Sequence, residues 1–534
     1  VNVSRLWPVA AFIAVGLVSL AVGLWLRAIY SPEWMVPDTT QSPPAMRPWP
    51  VEADCYSQLA RVQRILNGQG LIQNHFTVEN WPEGIVPSTT APFDYAILLL
   101  YFPLWLFTKH PLDWAGALVS PALWVALVCF WTFIRSREFN LTARSLFLIG
   151  SAVMPQFIWA TACGRPRHQS LIIVLMAMGL TAEYERWQIE LTPKRAWNIF
   201  AGIAWGLACW TSLFEPLLVA VCLIAYNLVV RRRENLAFLV SFGAVMLIAL
   251  AVEGVHIFVP PPEYRDALVR WLSGIAEVQP YNFVGLLDAL SLVLLILPFL
   301  AWALRPWKTG GNTTDGLLIL LAFLLIALTF VQRRWLYYAT LTELFVIVRF
   351  CQVTPLHWSR IAVVALFLLG VGYSDQYQLS LRDPAHPNQP SVQLAEISRN
   401  IDESGGILAP WWLSPGLLYF SGQPIVSGSS HCGISGIVAS SKFFTTTSWS
   451  EAEHILDQRK ARWIVVWDDP TYVYPLYNIS AGILGQSFAT DDDHRAADSS
   501  IAQLLITDQL LPTAIRLRAV TPQLKLYEYD PAAR

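Results

Sequence analysis

The chain has 534 residues, of which 54% are hydrophobic and only 14% charged, and it carries 24 Trp. A soluble protein of that length does not hold so much apolar side chain, so the composition describes a polytopic membrane protein. The formal net charge of −2, with no basic domain or stripe, excludes binding along a nucleic-acid backbone.

Residues 8–28 form the first apolar run. It is long enough to cross a bilayer and lacks a small-residue cleavage site, which predicts an uncleaved anchor. A long polar loop, 30–111, follows, and loops of that length are functional or disordered. Its stretch 52–94 contains a predicted helix, Asp54 to Leu66, with Leu59, Val62, Ile65 and Leu66 on one face. Asp54 opens that helix, where its plain structural role is a cap for free N–H groups. The apolar run 95–107 ends at Lys109-His110-Pro111 and is short, which predicts a helix lying against or dipping into the membrane. Further spans are expected at 112–134, 144–162, 170–186, 197–213, 216–230, 236–257, 283–303, 315–331, 335–351 and 360–374. The expectation is about eleven crossings.

Counted from an inside N-terminus, alternate loops carry Arg135 and Arg137, the 186–195 stretch, Arg231 to Arg233, Arg305 to Lys308, and His357 to Arg360. Basic loops are retained in the cytoplasm. The polar stretches 30–111, 163–169 and 258–282, the turn at 332–334 and everything after about Asp375 then fall outside. Beyond that point the apolar runs shorten to strand length, as at Arg462 to Trp467, with turn signals at 404–406 and 468–470. The chain thus reads as a transmembrane domain, 1–375, and a C-terminal mixed α/β domain, 376–534. The seven Cys are scattered and show neither a disulfide framework nor zinc spacing, which predicts buried free thiols.

With that topology, ionisable groups converge on the outer side. Asp54 lies in the first outer loop, and Arg165, Arg167, His168 and Gln169 in the second. Glu277 lies in a later loop, with Glu215 and Arg334 at outer helix ends. Charges at membrane depth cost several kcal/mol and mark function by default. A carboxylate pair holds a divalent cation or takes a proton. An arginine stabilises a leaving phosphate. Each residue also has a plain role: Arg334 with Arg333 as a headgroup anchor, Glu277 as a solvated loop acid, and Trp411 with Trp412 as an aromatic core or interfacial pair.

Four patches, in order and sidedness, resemble the catalytic subunit of oligosaccharyltransferases and its bacterial and archaeal single-subunit relatives, in the GT-C glycosyltransferase superfamily. They are EADCY at 52–56, SGIAEVQP at 273–280, QRRWLYY at 332–338 and ILAPWWLSPG at 407–416. The resemblance implies a GT-C transmembrane domain with an extracytoplasmic C-terminal domain in the cytoplasmic membrane, and a polyprenyl-phosphate or -pyrophosphate sugar donor. It implies acceptor and metal contact for Asp54, acceptor contact for Glu277, and a grip on the donor phosphate for Arg334. Arg61 or Arg64 offers a second phosphate contact. Trp411 and Trp412 belong to the acceptor side.

Two departures stand out. The family binds Mg²⁺ or Mn²⁺ through an Asp-x-Glu or Asp-x-Asp pair in the second outer loop, whereas GRPRHQ at 164–169 puts Arg167 and Gln169 there. A guanidinium does not ligate a cation and repels one at short range. Two arrangements stay open: Asp54, Glu277 and His168 hold a weaker ion, or Arg167 supplies the positive charge itself. Leu413 and Ser414 stand where the family has Asp-Tyr, so the acceptor is open among a protein motif, a lipid and a polysaccharide. The expectation is an inverting, outward-facing glycosyltransferase. Its rivals are a catalytically inactive membrane scaffold, suggested by the lost acidic pair, and a lipid-linked-glycan transporter. The transporter is disfavoured because the polar groups sit in outer loops and not in broken helices at mid-membrane.

Overall fold

The computed structural model describes residues 3–31, 34–38, 45–87, 91–134, 136, 138–187, 195–230, 234–254, 258–290, 292–304, 313–354, 357–380, 389–486 and 496–533. The basic residues expected at 135, 137, 188–194, 231–233 and 305–308 lie outside them. Among the described residues, five helices are long and apolar enough to cross a membrane: Pro8–Ile29, Pro111–Phe133, Leu236–Glu253, Arg333–Val353 and His357–Ser374. Shorter apolar helices include Ala91–Leu104, Leu141–Val153, Phe214–Val229 and Thr314–Thr329.

The chain divides into two compact units that interleave in sequence. The first is Val1–Pro32, Ala117–Val252 and Glu277–Ala385, and the second is Glu33–Gly116, Glu253–Ala276 and His386–Arg534. The segment at 33–116, from the first loop, is thus gathered with the C-terminal part of the chain.

In the first unit two expected spans are interrupted by proline. Helix Leu141–Val153 stops at Met154, and Pro155 starts a separate helix, Pro155–Ala160. Proline has no N–H to donate to the preceding turn, so it suits a first helical position and breaks an interior one. Pro298 lies near the same kind of junction, as the second residue of helix Leu297–Leu304, which follows the 3₁₀ turn Leu292–Ile296. Helix His168–Arg186 packs on Arg195–Thr211 at Gly179, where a Cβ would lie 2.7 Å from Trp205 Cε2. The Trp205 indole N–H donates to Glu183 at 3.2 Å.

A charged belt runs through this end of the unit. Arg186 binds Glu183 at 2.8 Å and Glu234 at 2.6 Å, and Arg349 binds Asp315 at 2.9 Å. Glu183 lies about 22 Å along the helix from His168 at the helical rise, so one helix carries polar clusters at both ends. Arg27 is fully buried nearer the other end. It donates to Thr161 Oγ1 at 2.7 Å, Gly23 O at 2.9 Å and Ser151 O at 3.0 Å, and lies 3.7 Å over the Trp124 ring.

The second unit holds all the described strands. β1 (Met35–Asp38) and β2 (Ala45–Pro48) form an antiparallel pair. β3 (Gly406–Leu408), β4 (Ala461–Trp467), β5 (Ile515–Val520) and β6 (Leu524–Tyr529) form one sheet in the order β3-β4-β6-β5. β3 pairs parallel with β4, and the remaining pairs are antiparallel. β4 is apolar and almost wholly buried, as befits a central strand covered on both faces. The first loop docks as an additional extended segment: Glu79 bridges Ile425, and Trp81 N–H donates to Ile425 O at 3.0 Å. Glu83 binds Arg459 at 3.0 Å. All seven cysteines are free.

Candidate functional site

The first unit brings together Arg167, His168, Glu215, Glu277 and Arg334, from four separate segments. The turn before helix His168–Arg186 needs Gly164 at φ +71, a backbone region that costs other residues strain. Gly164 N–H donates to Ala117 O at 3.0 Å, and Arg165 stacks 3.4 Å over the Trp159 ring. Ser120 Oγ donates to Arg165 O at 2.6 Å, and Ser170 Oγ donates to Arg167 O at 2.7 Å. Arg167, the cap residue of the helix, is held by this scaffold.

Two of the four patches named above meet through their backbones. Arg333 N–H donates to Gln279 O, and Arg334 N–H donates to Glu277 O, both at 2.9 Å. Their side chains then take different partners. Arg167 pairs with the Glu277 carboxylate, and Arg334 pairs with Glu215. Glu215 is buried in the first turn of Phe214–Val229, where Ser212 Oγ donates to its second oxygen at 2.7 Å. His168 lies within the field of Glu215, Arg334, Glu277 and Arg167. Burial works to raise the Glu277 carboxyl, and Arg167, backed by Arg334 and His168, more than reverses this and holds it below the usual carboxylate range. Buried polar atoms with no hydrogen-bond partner among the described residues include Arg334 Nε, Gln169 Oε1 and the Tyr338 hydroxyl. Tyr338, four positions on from Arg334, lies within reach of its charge. That i, i+4 spacing was the available signal for a residue sequence reasoning did not single out.

This donor set does not suit a divalent cation. Glu215 and Glu277 each already hold a guanidinium. No group of three His, Cys, Asp or Glu side chains among the described residues is arranged as a metal site, and a hard cation needs oxygen ligands that are not already engaged with a cationic side chain.

The second unit holds the remaining candidates. Asp54 is exposed in the first turn of helix Ala53–Leu66, whose cap position is occupied by Glu52. Arg61 is buried, with Nε 3.3 Å from Asp94 and Nη2 2.6 Å from Gln58 Oε1. Arg64 is half-buried, with Thr77 Oγ1 at 3.4 Å and the Phe76 ring at 5.6 Å. Trp411 and Trp412 meet edge to face at 5.5 Å, and Trp411 meets Trp271 at the same distance. A residue without any sequence signal is Glu79, which is 2% exposed and accepts from Ser430 N–H at 3.2 Å. Burial, against Ser430 and Arg61 and helped by Asp54, pushes its carboxyl up to about 7.

No family model and no curated protein sequence matches the chain. Solved structures do. The archaeal oligosaccharyltransferase AglB from Archaeoglobus fulgidus, in complex with an inhibitory peptide and a dolichol-phosphate, superposes with a TM-score of 0.69 at 14% identity, covering 97% of this chain and 80% of that one. The Archaeoglobus fulgidus oligosaccharyltransferase tethered to an acceptor peptide containing the NVT sequon gives 0.70 at 14% identity, covering 95% and 79%. ArnT from Cupriavidus metallidurans, bound to undecaprenyl phosphate, gives 0.54 at 12% identity and covers 98% of both chains. Likeness at such identity establishes architecture and nothing finer: this chain shares the fold of these solved structures.

Proposed function

We propose that the chain is an integral-membrane, inverting glycosyltransferase that moves a sugar or oligosaccharide from a polyprenyl-phosphate or -pyrophosphate carrier to an acceptor outside the cytoplasmic membrane. The observation that carries the reading is Arg334 in the first unit, paired with Glu215 and tied through its backbone to Glu277 beside Arg167. A phosphate reaching Arg334 replaces one carboxylate partner by another oxyanion, which keeps the guanidinium charge-paired throughout. The neighbours' polyprenyl ligands, a dolichol-phosphate on AglB and undecaprenyl phosphate on ArnT, support a donor of that class.

In this reading Arg334 binds the donor phosphate and Glu277 orients the acceptor. Asp54 as acceptor base and Trp411 and Trp412 on the acceptor side rest on the resemblance alone, and Arg61 or Arg64 as a second phosphate contact rests on its charge in the first outer loop. The proposed topology has about eleven crossings, a cytoplasmic N-terminus and the C-terminal segment outside. The acceptor is a protein, a glycan or a lipid. The test supplies proteoliposomes containing the purified chain with radiolabelled polyprenyl-phosphate and -pyrophosphate sugars and with each acceptor class. Label appearing on an acceptor supports the reading. Donor that binds without being consumed supports the inactive scaffold instead.

A further inference from the structure

We infer that Arg167 takes the place of a divalent cation in this site, so that transfer proceeds without a metal ion. The inference rests on the reading of the chain as a polyprenyl-phosphate glycosyltransferase. A metal in such a site does two things: it draws carboxylates together and it places positive charge beside the departing phosphate. Here both tasks have protein groups assigned. Arg167 occupies the Glu277 carboxylate, and Arg334 occupies Glu215. A dication entering this set meets two guanidinium charges and finds each carboxylate already neutralised.

Arg167 is also built to stay where it is. Its carbonyl accepts from Ser170 Oγ at 2.7 Å, and its N–H donates to Arg165 O at 2.8 Å. Arg165 is fixed in turn by Trp159 at 3.4 Å and by Ser120 at 2.6 Å. A charge held in advance needs no reorganisation when charge develops on the substrate. The backbone N–H groups that begin helix His168–Arg186 point their positive ends toward the same place.

The step balances without a metal. The bond between the sugar's anomeric carbon and the carrier's phosphate oxygen breaks, with its electron pair leaving on the phosphate, where Arg334 and Arg167 stabilise the added charge. The acceptor's nucleophilic atom forms the new bond to the anomeric carbon and gives up its proton to a carboxylate acting as base.

The test titrates Mn²⁺ into the purified full chain and follows free Mn²⁺ by electron paramagnetic resonance, alongside transfer assays with and without EDTA. The wild type is expected to show no saturable Mn²⁺ binding up to millimolar concentration and to transfer within twofold of its ordinary rate in EDTA. Arg167→Asp, which frees Glu277 and adds a carboxylate beside it, is expected to gain a saturable site. Arg167→Gln, checked for folding by its thermal melt, is expected to lose about 100-fold in rate and not to recover with Mn²⁺. Saturable wild-type binding that Glu277→Gln removes would overturn the inference, as would a tenfold loss of transfer in EDTA that Mn²⁺ restores. A folded Arg167→Asp that binds no Mn²⁺ overturns the claim that Arg167 is what keeps the ion out. A wild type that neither binds Mn²⁺ nor transfers any donor supports the metal-free site and contradicts the transferase reading.

Discussion

Glu79 offers a sharp test of the second unit's electrostatics. Its carboxyl is 2% exposed, between Ser430 N–H and the surface of Gly428, where no Cβ intrudes. Burial raises it from 4.5 to about 7, with Ser430 and Arg61 opposing and Asp54 adding to the rise. A group whose folded value is raised contributes stability that is fully present below about 4.5 and is lost as pH rises through about 7. At about 1.4 kcal/mol per pH unit, the whole contribution is roughly 3 kcal/mol. Glu79→Gln keeps the shape and the acceptor for Ser430 and carries no charge at any pH. The wild type and Glu79→Gln should therefore have similar stability at pH 4 to 5. By pH 8 the variant should be the more stable by up to about 3 kcal/mol. Chemical unfolding of the full chain in detergent, followed by Trp fluorescence at a series of pH values, reads the difference directly. Parallel pH curves for the two proteins would refute the reasoning, since a neutral amide has no proton to exchange.

Two further predictions concern packing in the first unit. Arg27→Leu removes the donor shared by Thr161, Gly23 and Ser151 and the cation over Trp124. It should cost about 3 kcal/mol in a thermal or denaturant melt, because the buried acceptors lose their partner. Gly179→Ala pushes a methyl group into Trp205 and should cost about 1 to 3 kcal/mol. It should also shift Trp fluorescence as the indole is driven off Glu183, and an unchanged spectrum and melt would show that the helices separate freely at that point.

The helices were legible in the sequence because apolar length survives any tertiary context. The expected spans at 112–134 and 236–257 correspond to Pro111–Phe133 and Leu236–Glu253, and the expected helix from Asp54 to Leu66 is Ala53–Leu66. Hydropathy was blind to the breaks at Pro155 and Pro298, because a proline interrupts a helix without making the run less apolar. Glu52 takes the cap position expected of Asp54, since an N-cap depends on where the backbone turns extended and not on side-chain type alone. The patches around Glu277 and Arg334 were readable as motifs. The pairing of Arg334 with Glu215, 119 positions away, was not, because it is made by helix packing. Glu79 gave no sign at all: its burial is created by Ile425, Gly428 and Ser430, more than 340 positions further on, and a loop acid is ordinarily exposed.

The most direct trial of the central claim sets two adjacent arginines against each other. Arg333 is exposed with its guanidinium 5.0 Å over the Tyr281 ring, whereas Arg334 is tied to buried Glu215. Transfer of labelled sugar from a polyprenyl-phosphate donor should fall about 100- to 1000-fold in Arg334→Ala and stay within a few-fold of wild type in Arg333→Ala, both folded by their melts. Equal rates in the two variants would contradict the assignment of the donor phosphate to Arg334.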